Sequence, residues 1–197
     1  MLLCAAAGGA AVLVETHEPP ALPLASGTLL VPSRALADFS LLGQQGRPFG
    51  RANLRGHWSL MFFGYTHCPD ICPATLATLA AVQKRMRMEA SPLPPQVIFV
   101  SLDARRDTPA QLAKYLPYFD AEFMGVTAAD QPAIEALAKQ WAVAPSNRPV
   151  TDANYPVDHS AAIFVIDPKG DVAAILTGPF TSDALRSDIA RIVTGRV

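Results

Sequence analysis

Apolar positions in this chain gather into short blocks separated by polar, proline-rich or glycine-rich turns. SLMFFGY at 59–65, QVIFVSL at 96–102 and AAIFVID at 161–167 are nearly unbroken apolar runs. Runs of that length fit strands buried in a sheet. Between the first two, PATLATLAAVQKRMRME at 73–89 puts Leu76, Leu79, Ala80 and Val82 on one side and Lys84, Arg85 and Arg87 near its end. That is an amphipathic helix with cations at the negative end of its dipole. In ARRDTPAQLAKYL, Thr108 stands as N-cap, Pro109 at N1 and Gln111 at N3. The capping box predicts a helix to about residue 117. MGVTA at 124–128 reads as a short extended piece, and Asp130 as the cap of a helix running to Trp141. After the third apolar run, PKGD is a turn and VAAILTG at 172–178 a returning strand, so the two form a hairpin. A last helix over 183–193 begins after Thr181 or Ser182.

This order predicts an α/β thioredoxin-like fold, a central mixed sheet with helices on both faces. The domain is expected to run from residue 36 to 197. Residues 15–35 hold four prolines and no helix or strand period, the mark of a Pro-rich, semi-extended linker. Before it, MLLCAAAGGAAVLV at 1–14 carries no charge. It is shorter than the roughly 20 residues of a membrane span and lacks the basic start of a secretory signal. Three readings stay open: part of a membrane anchor, a signal remnant, or a buried terminal segment. Cys4 invites a lipoprotein reading, but Leu3 stands where a small residue is expected, so Cys4 reads as one more small apolar residue.

Composition narrows the function. The chain has 197 residues, half of them apolar, enough for one domain with a sizeable core. Its net charge is -1, from 16 basic and 17 acidic residues, and no basic run suggests nucleic acid. A protein, a small molecule or an ion is the expected partner. The three cysteines are Cys4, Cys68 and Cys72. An odd count with one close pair argues against a disulfide framework, and a structural zinc site needs four ligands.

The chemistry gathers in GYTHCPDICP at 64–73, directly after the first apolar run. Pro73 at N1 would leave Cys72 at the helix cap and Cys68 in the loop before it. Free N–H groups at a helix start favour the thiolate, which is both nucleophile and soft metal ligand. The spacing is C-x-x-x-C, one residue longer than the thioredoxin redox motif. A disulfide still fits if the turn brings the Cα atoms to about 6 Å. Two sulfurs converging on one ion fit equally well. Such a pair selects soft metals, Cu(I) above all, with imidazole as a third donor. His67 neighbours Cys68 and should point away from it. His57 should lie at the far end of the first strand, and His17 is in the linker. His159 stands just before the third buried strand, in a loop that a thioredoxin-like fold places beside the cysteine loop. Thioredoxin-type oxidoreductases keep a cis-proline there. Here the positions read Val157-Asp158-His159-Ser160, with Pro156 the nearest proline.

FGYTHCPDICPATL at 63–76, SLDARRDTPAQLAKYL at 101–116, FDAEFMGVTA at 119–128 and VDHSAAIFVIDPKG at 157–170 together resemble the SCO/SenC family. DFSLLGQQGRPF at 38–49 resembles its opening β-hairpin. The resemblance implies a membrane-anchored thioredoxin-fold copper protein with a monomeric soluble domain. It implies one copper ion per chain, Cu(I) or Cu(II), on Cys68, Cys72 and His159, and apo cysteines able to form a disulfide. The implied role is metallochaperone, assisting assembly of the binuclear copper centre of cytochrome c oxidase subunit II, with other copper chaperones as further partners. The implied location is the bacterial periplasmic side of the inner membrane or the mitochondrial intermembrane space. Two departures stand out: the anchor is short, and Ala104 replaces a usual proline, which should loosen its loop. Asp70, Asp103, Arg106, Asp107 and Asp158 read first as turn-ordering residues, with Asp158 also able to orient an imidazole. Met86 and Met88 read as packing or solvated positions. An alternative activity is a thiol–disulfide oxidoreductase that keeps the oxidase cysteines reduced, with Cys68 and Cys72 as the redox-active pair. A weaker third reading is a peroxide-reactive redox sensor.

Overall fold

Strand β4 (Ser59–Gly64) is buried at every position, as its unbroken apolar run requires. It lies near the middle of an eight-stranded sheet of order β1-β8-β7-β4-β5-β6-β2-β3. The computed structural model describes residues 23–89, 94–143 and 161–195. In chain order these form β1 (Gly27–Arg34), β2 (Ser40–Gly43), β3 (Pro48–Gly50), β4, α1 (Ile71–Met88), β5 (Gln96–Ser101) and α2 (Pro109–Tyr115), then β6 (Met124–Thr127), α3 (Gln131–Gln140), β7 (Ile163–Ile166), β8 (Val172–Leu176) and α4 (Ser182–Val193). β4, β5 and β6 run parallel, and β7 and β8 return antiparallel as the expected hairpin. β2 and β3 form the opening hairpin, which joins the sheet through β6.

Alternation along β4 sends its side chains to two packed faces. On one, Phe62 meets Phe99 and Phe99 meets Tyr115 of α2, while the Cys72 sulfur of α1 lies over Gly64. α4 packs beside α1. On the other, Phe63, Phe164 and Trp141 form a triad with ring centroids 5.1–5.5 Å apart, and Trp141 ends α3. Helices therefore cover both faces, and the thioredoxin-like architecture stands. The predicted caps are also in place. Thr108 Oγ1 accepts from the Gln111 N–H, Asp130 Oδ1 from Ala133, and Thr181 Oγ1 from Ala184.

Two expectations need correction. Residues 27–34 are a strand and not linker: β1 pairs antiparallel with β8. Its burial shows no alternation because it is an edge strand with one neighbour, a position that tolerates Pro32. The chain just before it is held as well. The N–H groups of Ala25 and Ser26 donate to the buried Asp188 carboxylate of α4, at 3.1 and 2.7 Å. The second correction concerns α1, which starts at Ile71 with Asp70 as N-cap. Cys72 thus lies inside the first turn and Pro73 one residue further in. First-turn N–H groups have no helical acceptor, so a proline there costs no hydrogen bond.

Candidate metal centre

The parallel strands bring their carboxyl ends to one edge, with Gly64 opposite Ser101 and Val100 opposite Val126. β7 runs the other way, so its first residue, Ile163, pairs with Phe62 near that same edge. The loop leaving β4 and the chain arriving at β7 therefore meet there. The cysteines sit in the first of these. Cys68 donates its N–H to the Tyr65 carbonyl at 3.2 Å. The Cys72 N–H points at the Cys68 sulfur at 3.4 Å, and the two cysteines are not joined in a disulfide. The Tyr65 N–H reaches the Cys72 sulfur in turn. Gly64 makes room for that sulfur: a Cβ there would stand 2.6 Å from Cys72 Sγ and 2.9 Å from the Phe99 ring.

Cys72 is wholly buried, and Cys68 is 7% exposed. Burial pushes the Cys72 thiol well above the usual thiol range. The Tyr65 N–H opposes this, and the nearby Cys68 and Asp107 add to it. The thiolate-favouring effect expected of a helix start is thus overturned for Cys72 in the metal-free protein, because desolvation outweighs it. A bound soft cation would reverse that balance by supplying the missing charge.

Residues 103–107 order this loop. The Asp107 carboxylate is fully buried and accepts from the Thr66 N–H at 2.9 Å, the Thr66 hydroxyl at 2.6 Å and the Ser101 hydroxyl at 2.7 Å. Arg106 pairs with Asp103 and lays its guanidinium over the Tyr65 ring, 5.6 Å from the centroid. Ala104 does not loosen the segment. Its N–H, which a proline would lack, donates to Gln131 Oε1 at 3.1 Å, and Gln131 Nε2 donates to the Leu102 carbonyl at 3.0 Å. Sequence patterning assigned Asp107 only to turn order and passed over Gly64 and Gln131. The capping logic around Thr108 and Asp130 was the only signal nearby.

The histidines separate by position. His57 is exposed at the opposite end of the sheet, lining a cavity with Arg87 and Glu122. His67 is about half exposed, with Nδ1 3.1 Å from Thr66 Oγ1 and 3.9 Å from Asp107 Oδ1. His159, Asp158, His17 and Cys4 lie outside the described residues. Ala161, two residues after His159, lines a groove with Ile71, Ala74 and Thr75 at the start of α1. Met86 is buried and Met88 exposed, as packing and solvated positions. Among the described residues no group of three His, Cys, Asp or Glu side chains is placed to hold a metal. Two converging sulfurs can supply two soft donors and leave room for a third from outside this set. Among the described residues no helix is long and apolar enough to cross a membrane.

A family model described as SCO1/SenC matches residues 29–194. The mitochondrial SCO2 homologue of Bos taurus is 40% identical over 134 residues, 68% of this chain and 50% of its own length. The chain thus spans about half the length of such mitochondrial curated relatives. The copper-bound ScoI structure of Arabidopsis thaliana aligns with a TM-score of 0.75 at 30% identity, covering 81% of this chain and 98% of that one. The copper-bound ScoI of Bradyrhizobium japonicum aligns with a TM-score of 0.69 at 33% identity, covering 79% and 98%.

Proposed function

The chain belongs to the SCO1/SenC family, and on that premise we propose that it is a copper metallochaperone serving cytochrome c oxidase assembly. Cys68, Cys72 and His159 hold one copper ion as cargo and pass it to the binuclear copper centre of subunit II. Transfer proceeds by ligand exchange, partner thiolates replacing these donors one at a time. The observation that carries this reading is the pair of buried cysteines not joined in a disulfide, with the Cys72 N–H on the Cys68 sulfur at 3.4 Å. The donor set suits a soft cation. The copper-bound relatives of the same fold support it. So does Ala161, two residues after His159 in the sequence, which lines a groove with Ile71 at the start of α1. In this proposal residues 1–14 attach the chain to a membrane whose outer face the copper domain occupies, in the periplasm or the intermembrane space.

Reduced protein should bind one equivalent of copper, and the Cu(II) form should show a thiolate-to-copper absorption band. Replacing Cys68 and Cys72 by Ser should abolish both, and His159→Ala should shift the band and weaken binding. Unchanged stoichiometry in a Cys68→Ser, Cys72→Ser, His159→Ala combination would refute the proposal. A second reading, a thiol–disulfide reductant of the oxidase cysteines, draws on the same reduced pair, of which Cys68 is the more accessible member. It requires reductase activity that survives His159→Ala and disappears in Cys72→Ser.

A further inference from the structure

Asp107 stands 39 residues beyond Cys68 in the chain. Its carboxylate is nonetheless fully buried, and two of its three hydrogen-bond donors belong to Thr66, two residues before Cys68. The third, Ser101 Oγ, lies at the end of β5 and also accepts from the Asp103 N–H at 3.0 Å. A buried carboxylate is tolerated only when its acceptor sites are filled. Here both oxygens accept and neither needs to donate. An amide keeps one acceptor oxygen for the Thr66 N–H and Ser101 hydroxyl, and its NH2 would have to be taken by the Thr66 hydroxyl turned to accept.

Thr66 follows Tyr65, and Tyr65 touches both cysteines: its carbonyl takes the Cys68 N–H and its N–H meets the Cys72 sulfur. The Tyr65 ring is covered by Arg106. Residues 103–107 therefore grip Tyr65 and Thr66 together, through stacking on one and a carboxylate on the other.

We propose that Asp107 is a positioning residue for the cysteine pair: by anchoring Thr66 to the end of β5 and the start of α2, it sets the separation and direction of the two sulfurs. For copper this rests on Cys68 and Cys72 being its donors. For the metal-free pair it stands without that reading. Outer groups that orient metal donors change affinity by roughly 10–100-fold when removed.

The test uses the full chain with Asp107→Ala, Asp107→Asn and Thr66→Val, and Leu54→Ala as a control. Leu54 is buried in the turn before β4, at the opposite end of the sheet. Three quantities are read: the Cu(II) thiolate band with its hyperfine splitting, Cu(I) affinity by chelator competition, and the Cys68–Cys72 reduction potential without metal. Asp107→Ala should shift the band, weaken Cu(I) binding by roughly 10–100-fold and move the potential, and Asp107→Asn, which keeps one acceptor oxygen, should do the same more weakly. Thr66→Val should act in the same direction with a smaller effect, and it carries the test if the Asp107 variants do not fold. Leu54→Ala should melt earlier with all three quantities unchanged. Wild-type values in the Asp107 and Thr66 variants overturn the proposal, as do equal losses in Leu54→Ala. If copper binding in wild type ignores the cysteines, the metallochaperone reading fails while the reduction potential still decides the role of Asp107.

Discussion

The Cys72 sulfur lies in the first turn of α1, where backbone N–H groups favour a thiolate, and also inside the core, where a thiolate is poorly solvated. Its thiol is therefore harder to ionise folded than unfolded. Below about pH 8.5, the ordinary thiol value, both states keep the proton and stability is unaffected. Above it the unfolded chain loses the proton that the folded chain retains, so stability falls as pH rises. Chemical denaturation of metal-free, reduced protein between pH 7 and 10 should show this alkaline loss, and Cys72→Ala should flatten it. An equal slope in both proteins would show that the thiol is not its source. The sulfur owes its burial to one missing Cβ: Gly64 and the edge of Phe99 form the floor against which it rests.

Among the elements, β1 shows why a period can mislead. GTLLVPSR reads as linker because only one side of this strand has a neighbour and Pro32 interrupts it. Its attachment comes from β8 and from Asp188 of α4, which accepts two backbone N–H groups ahead of the strand. Leaving those N–H groups without a partner should cost about 2 kcal/mol. Asp188→Ala should accordingly lower the urea midpoint with little change in slope. A linker ahead of residue 36 predicts only the smaller loss of the Asp188–Arg191 pair, so the size of the change separates the two descriptions. α1 carries the opposite lesson. Its proline signal was correct in kind and misplaced by two residues, because the first turn accepts a proline at more than one position.

For the whole molecule, the cysteine loop joins what the sheet has already brought together: the carboxyl ends of β4 and β5 and the start of β7. A ligand bound there by the folded chain alone stabilises everything attached to that edge. At 100-fold excess over its dissociation constant the gain is about 2.7 kcal/mol. Adding Cu(I) to reduced protein should raise its melting temperature in a concentration-dependent way, and Cys68→Ser with Cys72→Ser should remove the shift. A similar rise in that double variant would place the stabilising copper elsewhere. The buried strands, the capped helices, their order and the C-x-x-x-C motif were legible in the linear chain, because each depends on neighbours within a few residues. Family membership followed from the same motifs in order. The β1 pairing, the burial that raises the Cys72 thiol, and the grip of Asp107 on Thr66 across 41 residues were not legible. Each joins groups distant in sequence, and local periodicity carries no information about which distant residue will fill a given hydrogen bond or cavity. Only the closed sheet decided those.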